Sequence, residues 1–266
     1  MVICPICAAP LTAEGKTLRC EAGHCFDRAR QGYVNLLTVQ QKHSLHPGDT
    51  GEMVLARRNF LNGGYYLPIA RKLRELTERF APQAQNVLDV GCGEGYYLSH
   101  LPQIPNRVGI DISKEAVRYA AGRDKQAQWY TATASRLPFS EGSFDCLLSM
   151  FALTVEEEFA RVLGEQGIFV QVLAGENHLP ALKQIIYPTI LEKEKQIPTP
   201  KGFSLLHRET LEFDFFLDNK ECVSQLLLMT PHVWRISKEG AARLAQTEQL
   251  QERAQVLFSV YCRQNA

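Results

Sequence analysis

The sequence lacks any hydrophobic run long enough to cross a membrane. No apolar stretch in its 266 residues approaches the ~18 residues that a membrane span requires. The first residues also lack the basic and then apolar pattern of a secretory signal. We therefore expect a cytoplasmic protein with no membrane partner.

The sequence also lacks a net charge, because 29 Lys and Arg residues balance 29 Asp and Glu residues. A neutral chain has no overall field to attract nucleic acid. The charges are nevertheless uneven, since residues 1–80 carry eleven basic and seven acidic side chains. Any electrostatic attraction for nucleic acid is therefore expected from the N-terminal part.

The eight cysteines are not expected to form disulfides, because thiols stay reduced in the cytoplasm. Cys4 and Cys7 form a C-x-x-C pair, and Cys20 and His24 follow it. Three thiolates and one imidazole are a ligand set of closed tetrahedral zinc sites. A redox dithiol is disfavoured, because no βαβ pattern surrounds the pair. The spacing predicts one zinc ion; Cys25 is the alternative fourth ligand, but C-x3-H spacing favours His24.

A glycine-rich turn follows a short apolar run that ends in Asp89. Gly91, Gly93 and Gly95 then fall at alternate positions before a helical pattern begins. This order indicates a buried strand that turns into a helix, whose free N–H groups could face a ligand. The spacing is neither G-x-G-x-x-G nor a P-loop. The turn resembles motif I of the class I S-adenosylmethionine-dependent methyltransferases; an ordinary glycine-rich turn is the alternative.

Strand and helix patterns alternate after residue 66, which predicts a doubly wound parallel α/β sheet. A strand or hairpin at 203–217 and a last strand at 254–261 would add a C-terminal antiparallel hairpin. Ligands of such sheets bind at the carboxyl ends of the strands. Asp111 is placed there to bind a ribose diol, unless it is a turn residue. The loops that carry Ser135 and His178 leave the same edge.

The segment before the sheet is predicted to contain a loop over 40–51 and a helix that ends near Asn62. The helix carries Arg57 and Arg58, which either form a solvated face or contact phosphate. If they contact RNA, replacing both with Glu should weaken RNA binding and leave donor affinity unchanged. Further along the chain, Met229 and Trp234 are expected in the core.

Six features occur together in this chain. They are the zinc quartet, Gly32-Tyr33-Val34-Asn35-Leu36, Pro47-Gly48-Asp49, Ala56-Arg57-Arg58 followed by Phe60-Leu61, the turn from Gly91 to Tyr97, and Arg136-Leu137-Pro138-Phe139. Together they resemble the RlmA-type 23S ribosomal RNA (guanine-N1)-methyltransferases over the whole chain. The chain departs from that pattern at Leu153, where the family has proline, and at Gly164–Gly167, where it has Pro-Gly-Gly.

The resemblance implies a class I methyltransferase domain with a small N-terminal zinc-binding module. The module would span residues 1–35, a linker loop and helix 36–65, and the methyltransferase domain 66–266. Tyr66, Gly93, Glu94 and His178 would contact S-adenosylmethionine, with Asp111 on its ribose. The target would be a guanine in a hairpin of domain II of 23S rRNA, and a homodimer is possible.

Guanine N1 carries a proton that must leave, so a nearby carboxylate would help as a general base. Asp49 is the candidate for this base. The alternative is that Asp49 is only a residue of the helix N-cap region. The target base must leave its stack, and Tyr33, Tyr65 and Phe151 are candidate aromatic partners. Two other functions are weighed: methylation of a small molecule beside a structural zinc, and RNA binding without catalysis. The intact turn disfavours the second, and the zinc module and the basic N-terminal part disfavour the first.

Overall fold

The computed structural model describes residues 1–41, 47–189 and 197–264. The helices are α1 (Gly51–Asn62), α2 (Leu67–Phe80), α3 (Tyr96–Ser99), α4 (Lys114–Arg123), α5 (Glu156–Val162), α6 (Pro180–Ile186), α7 (Lys220–Leu228) and α8 (Lys238–Ala245). The strands are β1 (Thr12–Glu14), β2 (Thr17–Arg19), β3 (Cys25–Asp27), β4 (Val34–Asn35), β5 (Asn86–Val90), β6 (Asn106–Asp111), β7 (Gln128–Thr131), β8 (Phe144–Met150), β9 (Leu163–Ala174), β10 (Phe203–Leu217) and β11 (Leu250–Arg263). Residues 42–46 of the predicted loop lie outside the described part.

An eight-stranded sheet forms the centre of the protein, in the order β10-β11-β9-β8-β5-β6-β7-β4. The six strands from β9 to β4 are parallel, and β11 is antiparallel to both β9 and β10. The predicted α/β class, with a mostly parallel sheet and an antiparallel C-terminal pair, is confirmed. The carboxyl ends of β5, β6, β7 and β8 meet at one edge, where the predicted ligand loops begin.

The C-terminal pair differs from a simple hairpin. β10 is one 15-residue strand that pairs with β11 along its length. The connection between them contains α7, a 3-10 helix (Pro231–Trp234) and α8. Trp234 lies on this connection with 72% of its surface exposed, so its expected core position is wrong. Met229, at the end of α7, is half-buried rather than in the core. Their apolar character alone did not reveal that this connection runs over the surface.

β4 was not predicted. Its two residues pair in parallel with Tyr130 and Thr131 of β7 and extend the sheet at that end. Val34 is fully buried and Asn35 is exposed, which is the alternation of a strand with one face in the core. Two residues are too short a run to be recognised by periodicity, although the buried Leu36 continues the pattern.

The first three strands form a separate small antiparallel sheet that packs directly on the large one. Val2 bridges to Phe139, and the amide N–H of Ile3 donates to the Pro138 carbonyl at 2.9 Å. Leu11 and Leu18 belong to the same buried cluster as Phe139 and strands β5 to β9. The N-terminal module therefore shares its core with the methyltransferase fold.

α1 and α2 cover one face of the sheet. Thr50 caps α1, as its side chain accepts from the amide of Met53, and the helix ends at Asn62 before Gly63 and Gly64. This confirms the predicted helix. None of the helices in the described ranges combines the length and the apolar character of a membrane span.

Candidate donor site and zinc ribbon

The four predicted zinc ligands converge. Nδ1 of His24 lies 3.6 Å from Sγ of Cys4 and 3.4 Å from Sγ of Cys20, and the Sγ atoms of Cys7 and Cys20 are 3.7 Å apart. A tetrahedron with metal–sulfur bonds of about 2.3 Å has edges of about 3.8 Å. All four ligand atoms lie within 4.8 Å of one another, so the quartet fits one zinc ion.

Cys25 points away from this group. Its thiol is exposed and lies 3.2 Å from the carbonyl oxygen of Gly23. Cys25 begins β3, where neighbouring side chains alternate between the two faces of the strand. The structure thus brings His24, and not its neighbour, to the zinc site.

The glycine-rich turn joins β5 to α3. Gly91, Gly93 and Gly95 have φ angles of +78°, +56° and +81°, which side chains rarely adopt. A Cβ at Gly91 would lie 2.6 Å from that of Ala152, and one at Gly95 would lie 2.6 Å from the Trp129 ring. α3 has only four residues, so the predicted N–H groups of a following helix contribute less than expected. The turn itself forms the floor of the site.

Asp89 is the penultimate residue of β5, directly below this turn, and is fully buried. Within the described residues, neither of its carboxylate oxygens has a hydrogen-bond partner. Burial, with smaller contributions from Asp111 and Glu94, raises the pKa of Asp89 to about 8. A buried carboxyl without a partner is costly, and a cationic ligand would satisfy it. S-adenosylmethionine carries a sulfonium and an ammonium group, so this orphaned acid fits that donor.

Asp111 stands at the end of the next strand and ties two loops together. Its Oδ2 accepts from the amide of Gly93 at 2.9 Å, and its Oδ1 accepts from the amide of Ser113 at 2.7 Å. Burial raises the pKa of Asp111, and these two N–H groups oppose the shift. A carboxylate offers about four acceptor positions, so two remain for a ribose diol.

A cleft of about 280 Å³ opens beside Asp111 at the carboxyl edge of the sheet. Gly91, Ala132 to Ser135, and Ala152 with Leu153 line it. Its walls are mostly apolar, as suits a nucleoside. Ser135 is exposed at its rim, where its hydroxyl lies 2.8 Å from that of Thr133. Leu153 is also a rim residue, with 78% of its surface exposed.

Three aromatic side chains gather at the other end of the turn. The buried Oη of Tyr66 lies 3.2 Å from Nε2 of His178, and the amide of Gln255 donates to Nδ1 of His178 at 3.3 Å. An Nδ1 that accepts leaves the proton of the neutral ring on Nε2, facing Tyr66. Phe151 stacks on His178 with ring centroids 6.2 Å apart. Its φ of +54° is strained for a non-glycine residue and turns the ring outward from β8.

Glu94 is buried within the turn and is neutralised by Arg123. The two side chains are 3.2 Å apart, and Arg123 also donates to the Glu94 carbonyl and to Asn62. Burial raises the pKa of Glu94, while Arg123 and Arg57 oppose the shift. Glu94 is expected to contact the donor. In the structure its side chain also forms an ion pair with Arg123.

Asp49 and Arg57 form an ion pair above the turn. Both side chains are about three-quarters buried, at 28% and 25% exposure. A Cβ at Gly93 would lie 3.9 Å from Cδ and from Nη1 of Arg57. Arg57 therefore lies against the glycine-rich turn, because α1 is outside the motif in sequence but packs on it in space. That its substitution spares donor affinity stays a prediction.

Comparison with known proteins agrees with this geometry. Residues 2–45 match a family described as RlmA, N-terminal, and residues 88–170 match a methyltransferase domain. The 23S rRNA (guanine(748)-N(1))-methyltransferase of Streptomyces fradiae is 33% identical over 90% of this chain and 88% of its own length. YxjB of Bacillus subtilis, provisionally named a 23S rRNA (guanine-N(1)-)-methyltransferase, is 31% identical over 92% of this chain and 90% of its own.

The chain belongs to the RlmA family of 23S rRNA guanine-N1 methyltransferases. In this RlmA chain, the turn, Asp89 and Asp111 lie together at the sheet edge, and Tyr66 and His178 lie beside Phe151, which also approaches Tyr97 of the turn. Their binding of the donor stays a prediction. Of the three aromatic candidates, Phe151 lies at this site. Tyr33 is buried in the core, and the hydroxyl of Tyr65 donates to Sγ of Cys222 at 3.3 Å.

Two arginines of this RlmA chain were missed as site residues. Arg123 lies about thirty residues after Glu94, and no local pattern links them. Arg57 was considered only as part of a solvated helix face or as a contact to RNA phosphate. The sequence feature that could have placed Arg57 is Asp49. It stands eight residues before Arg57, and the two side chains pair around the start of α1.

Proposed function

We propose that this chain transfers the methyl group of S-adenosylmethionine to N1 of one guanine in 23S rRNA. The observation that carries the proposal is the match to the Streptomyces fradiae enzyme over 90% of the chain. Both chemically distinctive parts are intact: the zinc quartet lies within the match to the RlmA N-terminal family, and the Asp89–Gly95 turn lies within the match to the methyltransferase domain. By extension we propose that the protein acts in the cytoplasm, where its RNA substrate is made.

The donor-binding residues are part of the proposal. Asp111 would hold the ribose and the cleft beside it would hold the adenine, with Ser135 at its rim. Gly91, Gly93 and Gly95 would allow the backbone to approach the donor, and Glu94 would shape the turn. Asp89 would face the cationic methionyl end. Tyr66 and His178 would close that end, since Tyr66 borders Phe151 with ring centroids 6.3 Å apart.

S-adenosylmethionine supplies a methyl group that is already activated by the sulfonium. The N1–methyl bond forms as the sulfur–methyl bond breaks, and the N1 proton leaves to a base. The protein therefore has to align the guanine with the methyl carbon and exclude water. Phe151 is suited to stack on the guanine, because it is 38% exposed and lies at the donor turn.

Asp49 remains our candidate for the base that accepts the N1 proton. It lies above the turn, and its backbone carbonyl accepts from the Ser113 hydroxyl at 3.1 Å. Proton uptake by Asp49 would require its charge-assisted bond to Arg57 to break or weaken. Transfer of the proton to water is the alternative, because the donor is reactive enough to need no strong base.

We assign RNA delivery to the zinc module, residues 1–35, and donor binding to residues 66–266, with 36–65 as the linker. The separate matches of residues 2–45 to the RlmA N-terminal family and of residues 88–170 to a methyltransferase domain support this division. Within 23S rRNA, the proposed target is a guanine in a hairpin of domain II. A homodimer would extend the surface available to that RNA.

Labelled methyl transfer tests the function. Purified protein with labelled S-adenosylmethionine should modify 23S rRNA from cells that lack the methylation, and should leave 16S rRNA unlabelled. Nucleoside digestion should yield N1-methylguanosine. Labelling of small-molecule extracts and not of RNA would instead support the small-molecule methyltransferase.

A further inference from the structure

Arg57 is the residue above the donor turn whose role the proposed chemistry leaves open. One N–H of its guanidinium bonds Oδ2 of Asp49, and another donates to the Met229 carbonyl at 3.5 Å. These are its two hydrogen bonds within the described residues, out of the five that a guanidinium can donate. The remaining donors are available beside Gly93.

The charges around the turn are mostly negative. Asp89, Glu94 and Asp111 are all buried or half-buried there, and Arg57 acts electrostatically on Glu94 and Asp111. These acids suit the two cationic groups of S-adenosylmethionine. The same donor also carries one α-carboxylate, which would be repelled unless a cation faces it.

Two arginines lie close enough to the turn to supply that cation. Arg123 is committed to Glu94 through its side chain and its carbonyl, and to Asn62. Arg57 has unused donors and lies on the open side of Gly93, where an added Cβ meets only Arg57 within 4 Å. A planar guanidinium matches a carboxylate with two parallel hydrogen bonds.

We propose that Arg57 binds the α-carboxylate of S-adenosylmethionine and that Asp49 holds the guanidinium in place for this contact. This inference rests on the proposed function and assigns the part of the donor that Arg57 recognises. Asp49 is then a positioning residue. The 3.1 Å bond from the Ser113 hydroxyl to its carbonyl links it to Asp111, so one network spans both ends of the donor site.

A donor without the carboxylate tests the contact directly. Calorimetry should compare S-adenosylmethionine with decarboxylated S-adenosylmethionine, which keeps the adenosyl, sulfonium and amine groups. Arg57→Ala should weaken S-adenosylmethionine binding by about 10- to 100-fold, the range for a lost charge-assisted pair, and change binding of the decarboxylated form less than about 2-fold. Arg57→Lys should fall between Arg57→Ala and the wild type.

Arg58→Ala is the matched control. Arg58 is the next residue on α1, is similarly half-buried, and lies over the ring of Tyr119, 5.0 Å from its centroid. Its substitution should leave the preference for the carboxylate intact. Thermal unfolding of each variant establishes that it is folded. An equal loss of affinity for both donors in Arg57→Ala would overturn the proposal. Failure of the wild type to bind either donor would instead refute the proposed function.

Asp49→Asn separates positioning from proton transfer. As a positioning residue, Asp49 should affect affinity for S-adenosylmethionine and not for the decarboxylated form. If Asp49→Asn leaves donor affinity intact and lowers only the saturated rate, with an altered pH profile, Asp49 acts as the base and its assignment as the holder of Arg57 is wrong.

Discussion

At the residue scale, the glycine-rich turn from Gly91 to Gly95 depends on backbone conformations that only glycine adopts without cost. The site also depends on one buried carboxyl, that of Asp89. The sequence located both, because an acid followed by alternating glycines is a local pattern. It could not place Arg57 beside the turn or separate Phe151 from Tyr33 and Tyr65, because their positions depend on packing between segments that are distant in the chain. Local patterns therefore predicted the glycine-rich turn and its buried carboxyl. The structure added the side chains that pack around them.

Gly93→Val should abolish donor binding. The φ of +56° makes any β-branched residue strained, at about 1–2 kcal/mol, and the new side chain would point toward Arg57. Gly142→Val is the matched control, because Gly142 has a φ of +61° and open space around it, away from the cleft. Thermal unfolding should show similar destabilisation of both, and calorimetry should show lost binding only for Gly93→Val. Normal affinity in that variant would remove the turn from the site.

Asp89 should release a proton when the donor binds. Its pKa of about 8 means that it is mostly neutral at pH 7 in the free protein, and a cationic donor favours its ionised form. The calorimetric enthalpy at pH 7 should therefore vary with the ionisation enthalpy of the buffer, with a slope that approaches one proton. Asp89→Asn should remove this dependence. Buffer-independent enthalpies in the wild type would contradict the account.

The same carboxyl should make the free protein less stable as the pH rises. The folded state keeps the proton up to about pH 8, whereas the unfolded chain loses it near the ordinary value of 3.8. The folded state thus binds more protons between these values, and its contribution to the free energy of unfolding falls across that range. Asp89→Asn should flatten this part of a stability profile measured by chemical denaturation.

At the scale of elements, the alternation of strand and helix patterns after residue 66 predicted the parallel core except β4, because the core strands are apolar and bounded by turns. The side chains of Thr50 and Ser113 cap α1 and α4. The connection between β10 and β11 was harder to predict. Its mixed composition does not show which side faces solvent.

That connection offers the most exposed large ring among the described residues, Trp234, followed by the exposed Arg235. It passes beside the site, because Arg57 donates to the carbonyl of Met229 at the end of α7. An exposed aromatic ring beside an arginine suits a stacked base, which is worth about 1–3 kcal/mol. Trp234→Ala should therefore weaken rRNA binding by about 10-fold and leave donor affinity unchanged.

Fluorescence anisotropy with a labelled domain II hairpin checks this expectation. Leu206→Ala is the control, since Leu206 is 50% exposed on the edge strand β10. Equal RNA affinity of Trp234→Ala and the wild type would show that the RNA lies elsewhere, with the zinc module as the next candidate.

At the scale of the whole molecule, the zinc ribbon and the donor cleft are joined by one segment. Residues 132–135 line the cleft, and the same segment continues to Ser140, whose amide donates to the Met1 carbonyl at 2.9 Å. Arg161 holds this segment from the other side through the carbonyls of Leu137 and Phe139. The sequence suggested a zinc module that delivers the enzyme to RNA. The structure shows this module packed against the segment that continues from the cleft wall.

Removal of zinc should therefore weaken donor binding as well as RNA binding. A chelator, or Cys7→Ser, should lower the melting temperature and reduce donor affinity several-fold, because the segment that continues from the cleft wall loses its backbone contacts with Met1 to Ile3. Cys25→Ser should retain the metal and full affinity. By reciprocity, bound donor should raise the affinity for zinc, which competition with a colorimetric chelator at equilibrium can measure. Unchanged donor affinity in zinc-free protein would show that the two parts are independent.

The most direct test of the whole account is a reverse-transcription map of 23S rRNA after reaction with the protein and S-adenosylmethionine. A methyl group on N1 blocks Watson–Crick pairing, so the account predicts one new strong stop, immediately 3′ of a single guanine. The stop should be missing without donor and with the Gly93→Val variant. Methyl incorporation into the RNA without any such stop, or with stops at several unrelated bases, would contradict it.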